Sequence, residues 1–370
     1  MTTTAPAGNV LAQMDWHHIE FYVGNAKQAA HYFASAFGFE PMAYAGPETG
    51  VTDRVSYVLE QQRLRFVLTS SLRPEGAIAE HVRRHGDGIR DIALRVRDAR
   101  AAFDAAVAGG ALPLAAPAES RDAHGACRTA SIATYGDTIH TFVERETYRG
   151  VFLPGFRACG GTVHAAHAPC LRDIDHCVGN VGWDEMEAWA AYYERAFGFS
   201  QLASFDDRDI STEYTALRSK VMSDAQRRIK FPINEPARGK KRSQIEEYLD
   251  SYGGPGVQHV ALDTGDIITA VRALRANGVD FLETPSSYYD ALEARVGKIS
   301  EATDVLRELS VLVDRDDLGY MLQIFTKPLG DRPTLFFEII QRKGSLSFGK
   351  GNFKALFVAI EEQQRQRHAL

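Results

Sequence analysis

Residues Asp173–Val181 read D-I-D-H-C-V-G-N-V, and their apolar residues alternate as they do in a β-strand. This alternation predicts that His176 lies on the same face of the strand as Ile174 and Val178. It also predicts that Cys177 points to the opposite face, as a small buried side chain rather than a metal ligand. The stretch therefore indicates a strand that carries one imidazole among apolar neighbours.

Two later stretches have the same character. Gly256–Leu262 reads G-V-Q-H-V-A-L, with His259 between apolar residues, and Thr334–Arg342 reads T-L-F-F-E-I-I-Q-R, with Glu338 inside an apolar run. Burying an imidazole or a carboxylate is costly unless something binds it. Two histidines and one carboxylate are also the ligands of facial-triad iron(II) sites, which keep coordination positions open for chemistry. We therefore predict that both histidines and Glu338 hold one metal ion, the alternative for each being a core side chain satisfied within the fold.

The composition is typical of a soluble globular protein. The chain has 370 residues, of which 45% are hydrophobic and 24% charged, so it is long enough for two domains with full cores. A net charge of −6 argues against a nucleic-acid partner. No apolar run is as long as a membrane span, and the first residues lack the features of a signal peptide. The cysteines form no C-x-x-C pair, which predicts a reduced, cytoplasmic protein; they are Cys127, Cys159, Cys170 and Cys177.

The two halves of the chain resemble each other. The segments that begin at Ile19 and Ile174 share V-G-N and A-F-G-F in the same order. A second pair follows, G-D-G-I-R-D-I-A-L from Gly86 and G-P-G-V-Q-H-V-A-L from Gly254. Ordered matches at similar offsets predict a tandem duplication.

Each half is predicted to contain two units in which a strand and a helix are followed by further strands, which is an α+β fold. In the first unit, strand 17–23 leads to a helix that starts at Asn25, a good N-cap, and stops at Gly38. Residues 151–171 are rich in Gly, Pro and Ala and are predicted to link the halves. The predicted domains are therefore 12–150 and 172–370, the second ending in a helix with an apolar face.

The first half lacks the predicted ligands. Aligning the shared motifs and the ends of the two halves places other residue types opposite them: Phe21, Asp91 and Thr141, opposite His176, His259 and Glu338 respectively. Residues needed only for the fold should be shared by both copies. The difference therefore favours a metal site in the second half alone.

Several further motifs allow comparison with a known family. They are H-G-D-G at 85–88, D-H-C-V-G-N at 175–180, K-F-P-I-N-E-P-A at 230–237, K-R-S-Q-I-E-E-Y-L at 241–249, G-V-Q-H-V-A-L at 256–262, L-Q-I-F-T-K-P-L-G-D-R-P-T at 322–334, F-F-E-I-I-Q-R at 336–342 and F-G-K-G-N-F at 348–353. With these motifs in this order, the chain resembles the 4-hydroxyphenylpyruvate dioxygenases of the vicinal-oxygen-chelate superfamily. The resemblance covers nearly the whole chain.

The resemblance implies a fold and a reaction. The fold would be two open-barrel domains, each a pair of βαβββ units, with a metal-free first domain and a C-terminal helix as a lid. One Fe(II) per chain would be held by the positions of His176, His259 and Glu338, with a net charge of about +1 by formal counting. The substrates would be 4-hydroxyphenylpyruvate, which chelates the metal through its own oxo-acid group, and O2. The products would be homogentisate and CO2, as in tyrosine catabolism.

The resemblance also implies a substrate shell. Its members are Ser219, Asn234 and Gln244 toward the phenol end, Gln323, Phe325 and Phe336 beside the metal, and Phe348 and Phe353 as pocket and gate residues. For the phenylalanines the alternative is ordinary core packing. Gln258 is left out, because strict alternation points it away from His259 unless a bulge re-aims it. No catalytic residue is expected beyond the ligands and this shell.

Two other functions remain open from the sequence. A hydroxymandelate synthase would use the same substrate and iron, although Asn234 within I-N-E-P at 233–236 favours the homogentisate route. A non-catalytic protein of the same superfamily would sequester an aromatic ligand and need no metal. A homo-oligomer, dimer or tetramer, is expected, with the metal-free half as a candidate interface.

Overall fold

A computed structural model describes residues 11, 13–161, 163–206 and 216–366. In the first half the strands are β1 (Asp15–Tyr22), β2 (Glu40–Ala45), β3 (Arg54–Gln61), β4 (Leu64–Ser71), β5 (Gly88–Arg95), β6 (Pro113–Asp122), β7 (Gly125–Ala133), β8 (Ile139–Glu144) and β9 (Arg157–Ala158). The helices of this half are α1 (Ala26–Phe37), α2 (Ala77–His85) and α3 (Ala99–Ala108).

The second half repeats this order with additions. Its strands are β10 (Leu171–Asn180), β11 (Ser200–Phe205), β12 (Ala216–Ser223), β13 (Lys230–Ala237), β14 (Gly256–Thr264), β15 (Leu312–Asp316), β16 (Gly319–Phe325) and β17 (Phe336–Lys343). Its helices are α4 (Met186–Phe197), α5 (Gln244–Tyr252), α6 (Ile267–Ala276), α7 (Ser287–Asp290), α8 (Leu292–Val296), α9 (Thr303–Leu309) and α10 (Phe353–Gln366). Among the residues described, no helix is both long and apolar enough to cross a membrane.

Each half forms one sheet in which two units meet at their first strands. The strand orders are β6-β7-β8-β5-β1-β4-β3-β2-β9 and β11-β12-β13-β10-β14-β17-β16-β15. Within each sheet the first strands of the two units, β1 with β5 and β10 with β14, pair antiparallel. The α+β fold of two open barrels built from paired βαβββ units is therefore confirmed. The short β9 pairs with β2, so part of the segment predicted as a linker belongs to the first sheet.

Local signals place the first helix as the sequence predicts. The Asn25 side chain accepts a hydrogen bond from the Gln28 backbone N–H at 3.0 Å, which satisfies one free donor at the start of α1. At the other end Gly38 has φ of 73°, a left-handed conformation that glycine adopts without strain. These two residues fix where α1 begins and where it ends.

A bulge in β10 changes which residues share a face. Between Ile174 and His176 the register with β14 shifts by one residue. Ile174 consequently lies with Cys177 in the core, while His176 and Val178 line a cavity on the other face of the sheet. The prediction that His176 shares its face with Ile174 is wrong, because an extra residue breaks strict alternation. The predicted orientation of Cys177 is confirmed.

One apolar core lies between the two sheets and contains residues from both halves. Phe337, which is fully buried in β17, packs its ring against aromatic rings of the first half at centroid distances of 5.3–6.5 Å. Those rings belong to Phe21, Phe33, Phe37 and Phe66. The helices α1 and α4 contribute to this shared core as well. The opposite face of the second sheet is thereby left for the cavity that contains His176.

The strand register shows which residues of the two halves correspond. Both pairs of central strands have register shifts at matching places, and the corresponding pairs are His176–Ala261 with His18–Ala93, and Val178–His259 with Glu20–Asp91. His18 therefore corresponds to His176, so the alignment that placed Phe21 there is off by three residues. By the same register Asp91 corresponds to His259, and Thr141 corresponds to Glu338.

Polar side chains that bond one another occupy the corresponding face of the first sheet. Ser56, Thr69 and Glu20 form a hydrogen-bonded chain with oxygen–oxygen distances of 2.7 and 2.6 Å. Asp91 accepts a hydrogen bond from the Thr141 backbone N–H at 3.0 Å. This face is therefore held together by internal hydrogen bonds.

Candidate metal centre and active-site cavity

His176, His259 and Glu338 come together at the centre of the second sheet. Glu338 Oε2 lies 3.2 Å from Nε2 of His176 and 3.4 Å from Nε2 of His259. One ligand atom from each residue lies within 4.8 Å of the other two, and all three side chains are buried. Such spacing suits ligands arranged around a single ion.

Three adjacent strands supply these side chains, and a small residue separates them. In the register, Ala261 on β14 pairs with His176 on β10 and with Glu338 on β17. His259 lies two residues before Ala261 on the same strand and so points to the same face. Because the side chain in the middle is only a methyl group, the three ligand atoms can approach one point.

Hydrogen bonds fix which nitrogen of each imidazole carries the hydrogen. His176 Nδ1 lies 2.7 Å from Oδ2 of Asp175, and His259 Nδ1 lies 3.2 Å from Oε1 of Gln258. Both oxygens are acceptors, so both Nδ1 atoms carry hydrogen and donate. In the neutral rings the Nε2 lone pairs then face Glu338, which is the arrangement found around metal ions.

The electrostatics of the cluster favour a cation at this point. Burial opposes ionisation of Glu338, but the imidazoles of His176 and His259 hold its pKa at about 2. Burial also opposes a charge on His176, yet Glu338 and Asp175 raise the pKa of its imidazole overall, whereas burial lowers the pKa of His259. A negative carboxylate and two nitrogen lone pairs directed at one buried point suit a divalent metal ion.

A cavity opens over these three residues, and most of the predicted shell lines it. The residues that line it include Ser219, Asn234, Gln244, Gln323, Phe325, Phe336 and Phe348. Phe353 begins α10, but its side chain lies outside the described part of the structure. The structure thus brings seven of the eight predicted shell residues to one cavity with the candidate ligands.

Aromatic rings surround the two histidines. Phe336 stacks on His259 with the ring centroids 4.8 Å apart, and Phe325 meets the same imidazole edge-on at 5.9 Å. Phe348 contacts His176 edge-on at 5.3 Å. These rings fix the orientation of the imidazoles and give the cavity apolar walls suited to an aromatic ligand.

Polar groups lie elsewhere in the same cavity. Ser219 on β12 is directly opposite Asn234 on β13, and Asn234 Nδ2 donates to Asn180 Oδ1 at 3.3 Å. Gln244 opens α5. Gln323 is 2% exposed, and its Oε1 has no hydrogen-bond partner among the described residues. A few polar groups in an apolar cavity are what orients a small ligand.

Some lining residues could not be derived from the sequence pattern. Gln258 lines the cavity beside His259 because the register of β10 with β14 shifts at this point, and Gln258 is the extra residue. Val178 lines the cavity beside His176, on the face that the alternation predicts, whereas the other lining residues were not predicted: Phe205, Leu217, Val221, Pro232, Leu356 and Phe357. Leu356 and Phe357 belong to α10, so this helix covers the cavity.

Comparison with known proteins agrees with this architecture. A family model described as hydroxyphenylpyruvate dioxygenase, N-terminal, matches residues 8–152. A model of the glyoxalase, bleomycin resistance protein and dioxygenase superfamily matches residues 173–323. Both halves are thus similar to known domains of one superfamily.

Whole-chain relatives carry the same name. The 4-hydroxyphenylpyruvate dioxygenase of Yarrowia lipolytica is 48% identical over 95% of this chain and 92% of its own length. That of Danio rerio is 47% identical over 96% of this chain and 91% of its own. A solved structure of a mutant 4-hydroxymandelate synthase from Streptomyces coelicolor is 36% identical, covers 95% of this chain and 98% of its own, and has a TM-score of 0.85. The chain therefore belongs to the 4-hydroxyphenylpyruvate dioxygenase family.

Proposed function

We propose that the chain is an iron(II)-dependent dioxygenase that converts 4-hydroxyphenylpyruvate and O2 to homogentisate and CO2 in tyrosine catabolism. The observation that carries the proposal is the convergence of the His176 and His259 Nε2 atoms on Glu338 at the base of an aromatic cavity. Three protein ligands leave coordination positions for a chelating oxo acid and for O2. Iron(II) held there supplies Lewis acidity and the redox chemistry with oxygen.

The cavity residues orient the substrate in this proposal. Ser219, Asn234 and Gln244 bind the phenol end by hydrogen bonds. Phe325 and Phe336 enclose the ring, while the side-chain amide N–H of Gln323 donates to the oxo-acid group of the substrate. Binding both ends at once holds the reacting carbon at a fixed distance from the metal.

The helix α10 excludes water from the site. Leu356 and Phe357 line the cavity, and Phe348 lies at its edge against His176. A reactive oxidant in a wet site reacts with solvent or with the protein, so a closed apolar cover protects the reaction. In this proposal Phe348 and Phe353 control entry.

Four finer assignments belong to the same proposal. One Fe(II) is bound per chain, by His176, His259 and Glu338. The enzyme is cytoplasmic, which fits its four free cysteines, and it forms a homo-oligomer, dimer or tetramer. The domains are 12–150 and 172–370, joined at 151–171.

A second candidate function is hydroxymandelate synthesis, which the 36% identical structural relative favours. It would use the same ligands and substrate but deliver oxygen to the benzylic carbon. Asn234 at the polar end supports ring hydroxylation instead. The two functions differ only in the product.

Product identification tests the proposal. Fe(II)-loaded protein is incubated with 4-hydroxyphenylpyruvate under air, and the products are identified by mass spectrometry beside a sample stripped of metal by a chelator. We expect homogentisate, with one CO2 released per O2 consumed, and no turnover after chelation. Hydroxymandelate as the main product would establish the second function. Tight aromatic ligand binding without any metal requirement would establish sequestration.

A further inference from the structure

Asp175 is buried next to His176 and forms ion pairs with Arg342 and Lys230. Its Oδ2 accepts from His176 Nδ1 at 2.7 Å, and its two oxygens accept from Arg342 Nε and Nη2 at 2.7 and 2.9 Å. Lys230 Nζ lies 3.2 Å from Oδ1. The paired bonds to Arg342 form a two-point contact, the strongest geometry for this charge pair. Asp175 is only 8% exposed, so none of these groups can be released into water without moving the others.

Arg342 also holds the segment that leads to α10. Its Nη1 donates to the carbonyl oxygens of Ser347 at 2.6 Å and Ser345 at 3.3 Å. Its guanidinium lies over the Phe348 ring, 5.3 Å from the centroid, and the same phenylalanine meets the His176 ring edge-on at 5.3 Å. Phe348 therefore contacts both the arginine and the candidate metal ligand.

Asp316 fixes the same segment through its amide groups. Its Oδ2 accepts from the backbone N–H groups of Leu346 and Ser347 at 2.7 and 2.9 Å, and from Ser345 Oγ at 2.8 Å. In the segment 344–348, backbone N–H groups thus donate to Asp316, and backbone carbonyl oxygens accept from Arg342. The first part of the connection between β17 and α10, here called the arm, is therefore held in place by Arg342 and Asp316.

We propose that Asp175 and Arg342 form a positioning pair that couples the orientation of His176 to the placement of the segment 344–348 and of the lid helix α10. This inference rests on the proposed function, because the pair matters only when His176 holds a metal ion. A shift of the arm moves Arg342, which leaves Asp175 short of partners and lets the His176 ring turn. By reciprocity, a metal ion that fixes His176 also fixes the arm and the lid.

The conservative variant Arg342→Lys is the main test, with Asp175→Asn beside it. Lysine keeps the buried positive charge but cannot bond both oxygens of Asp175 and two carbonyl groups at once. The matched control is Asp263→Asn, which breaks a carboxylate–arginine pair between Asp263 on β14 and Arg172 on β10, and within the described structure neither residue bonds a candidate ligand. Circular dichroism confirms that each variant is folded.

Two readouts without turnover report the coupling. The first is Co(II) affinity by titration without substrate, and the second is amide hydrogen exchange of residues 353–366 with and without Co(II). We expect Asp175→Asn and Arg342→Lys to weaken Co(II) binding by about 10- to 100-fold, as loss of a partner behind a ligating histidine does. We expect Co(II) to slow exchange in α10 of the wild type and of Asp263→Asn, and to have no effect there in the other two variants.

The outcomes separate this inference from the proposed function. Co(II) affinity within twofold of the wild type in Arg342→Lys, or equal protection of α10 by Co(II), would overturn the coupling even if homogentisate is made. Failure to make homogentisate would overturn the proposed reaction while leaving the metal and exchange measurements interpretable. A wild type that binds no Co(II) would overturn both.

Discussion

Glu338 provides the negative charge of the candidate metal centre, and its neutral isostere tests that role. Glutamine keeps the size of the side chain in β17 but cannot neutralise a divalent cation. We expect Glu338→Gln to lose metal affinity by about a hundredfold or more, since a ligand contributes at least as much as a group behind it. Titration with Fe(II) under anaerobic conditions, or with Co(II), measures the change.

A buried carboxylate of the other half provides the control. Asp91 occupies the position that corresponds to His259, and its oxygen bonds the Thr141 backbone. We expect Asp91→Asn to retain wild-type metal affinity and turnover. Equal losses in both variants would mean that Glu338 acts through stability rather than as a ligand.

Asp91 also gives the protein a specific dependence on pH. Burial raises the pKa of its carboxyl to about 8 in the folded chain, against 3.8 when exposed. The folded state therefore holds a proton that the unfolded state releases, and the contribution of Asp91 to stability falls as pH rises from about 4 to 8. We expect the melting temperature of Asp91→Asn to exceed that of the wild type by an amount that grows between pH 5 and 8. Calorimetry across this range measures the difference, and a difference that stays constant with pH would contradict the assignment.

At the scale of elements, the lid helix has the clearest separable role. Deletion of residues 353–370 removes Leu356 and Phe357 from the cavity wall but leaves the three candidate ligands in their strands. We expect KM for the oxo acid to rise by about tenfold or more, because the lost apolar contacts bind the substrate. We also expect less homogentisate per O2 consumed, because water enters the site.

Metal titration of the deletion variant supplies its control. The affinity for Co(II) in the absence of substrate should fall much less than KM rises, since no ligand is removed. If the truncated chain keeps both KM and the yield of product per O2, α10 is not a lid.

The three strands that carry the candidate ligands were predictable from the sequence, and their bulges were not. Alternation predicts His176, His259 and Glu338 in strands, which is correct. The predicted caps of α1, Asn25 and Gly38, are also correct. Alternation failed at Ile174 and at Gln258, because each lies where one extra residue shifts the register of β10 and β14. A bulge is set by backbone pairing with a distant strand, so the local pattern of side chains does not reveal it.

Alignment of the repeats by their shared motif also failed, because a short motif does not show which strand residues are paired. The shared V-G-N motif begins at Val23 in one half and at Val178 in the other, but the backbone of Val23 corresponds to that of Val181. Both valines donate their N–H to the neighbouring parallel strand just past the paired region. Register, rather than motif identity, decides correspondence, and register requires the paired strands.

At the scale of the whole molecule, the two halves stabilise each other through one core. Phe337 has 0% exposure and contacts four phenylalanine rings of the other half. We expect Phe337→Ala to lower the free energy of unfolding by about 3–5 kcal/mol, as loss of a buried ring does. Leu318→Ala, at a site with 66% exposure, is the control and should change stability little. Denaturant unfolding measures both, and a small effect at Phe337 would mean that the halves are independent.

The two-domain division proposed at residues 151–171 is consistent with one sheet per half, yet the two sheets share one large apolar cluster beside the smaller clusters of each half. That shared cluster contains residues from Leu11 to Ile339. We therefore expect the two proposed domains, 12–150 and 172–370, to unfold together.

The correspondence of His18, Asp91 and Thr141 with the three candidate ligands bears on redesign. Apart from β9, the two sheets have the same strand order and the same two bulges, so the first barrel differs from the second chiefly in its side chains. At the position that corresponds to His176 it also has an imidazole, that of His18. The same positions in the first sheet are suited to the design of a second metal centre. The substitutions Asp91→His and Thr141→Glu would complete a triad with His18.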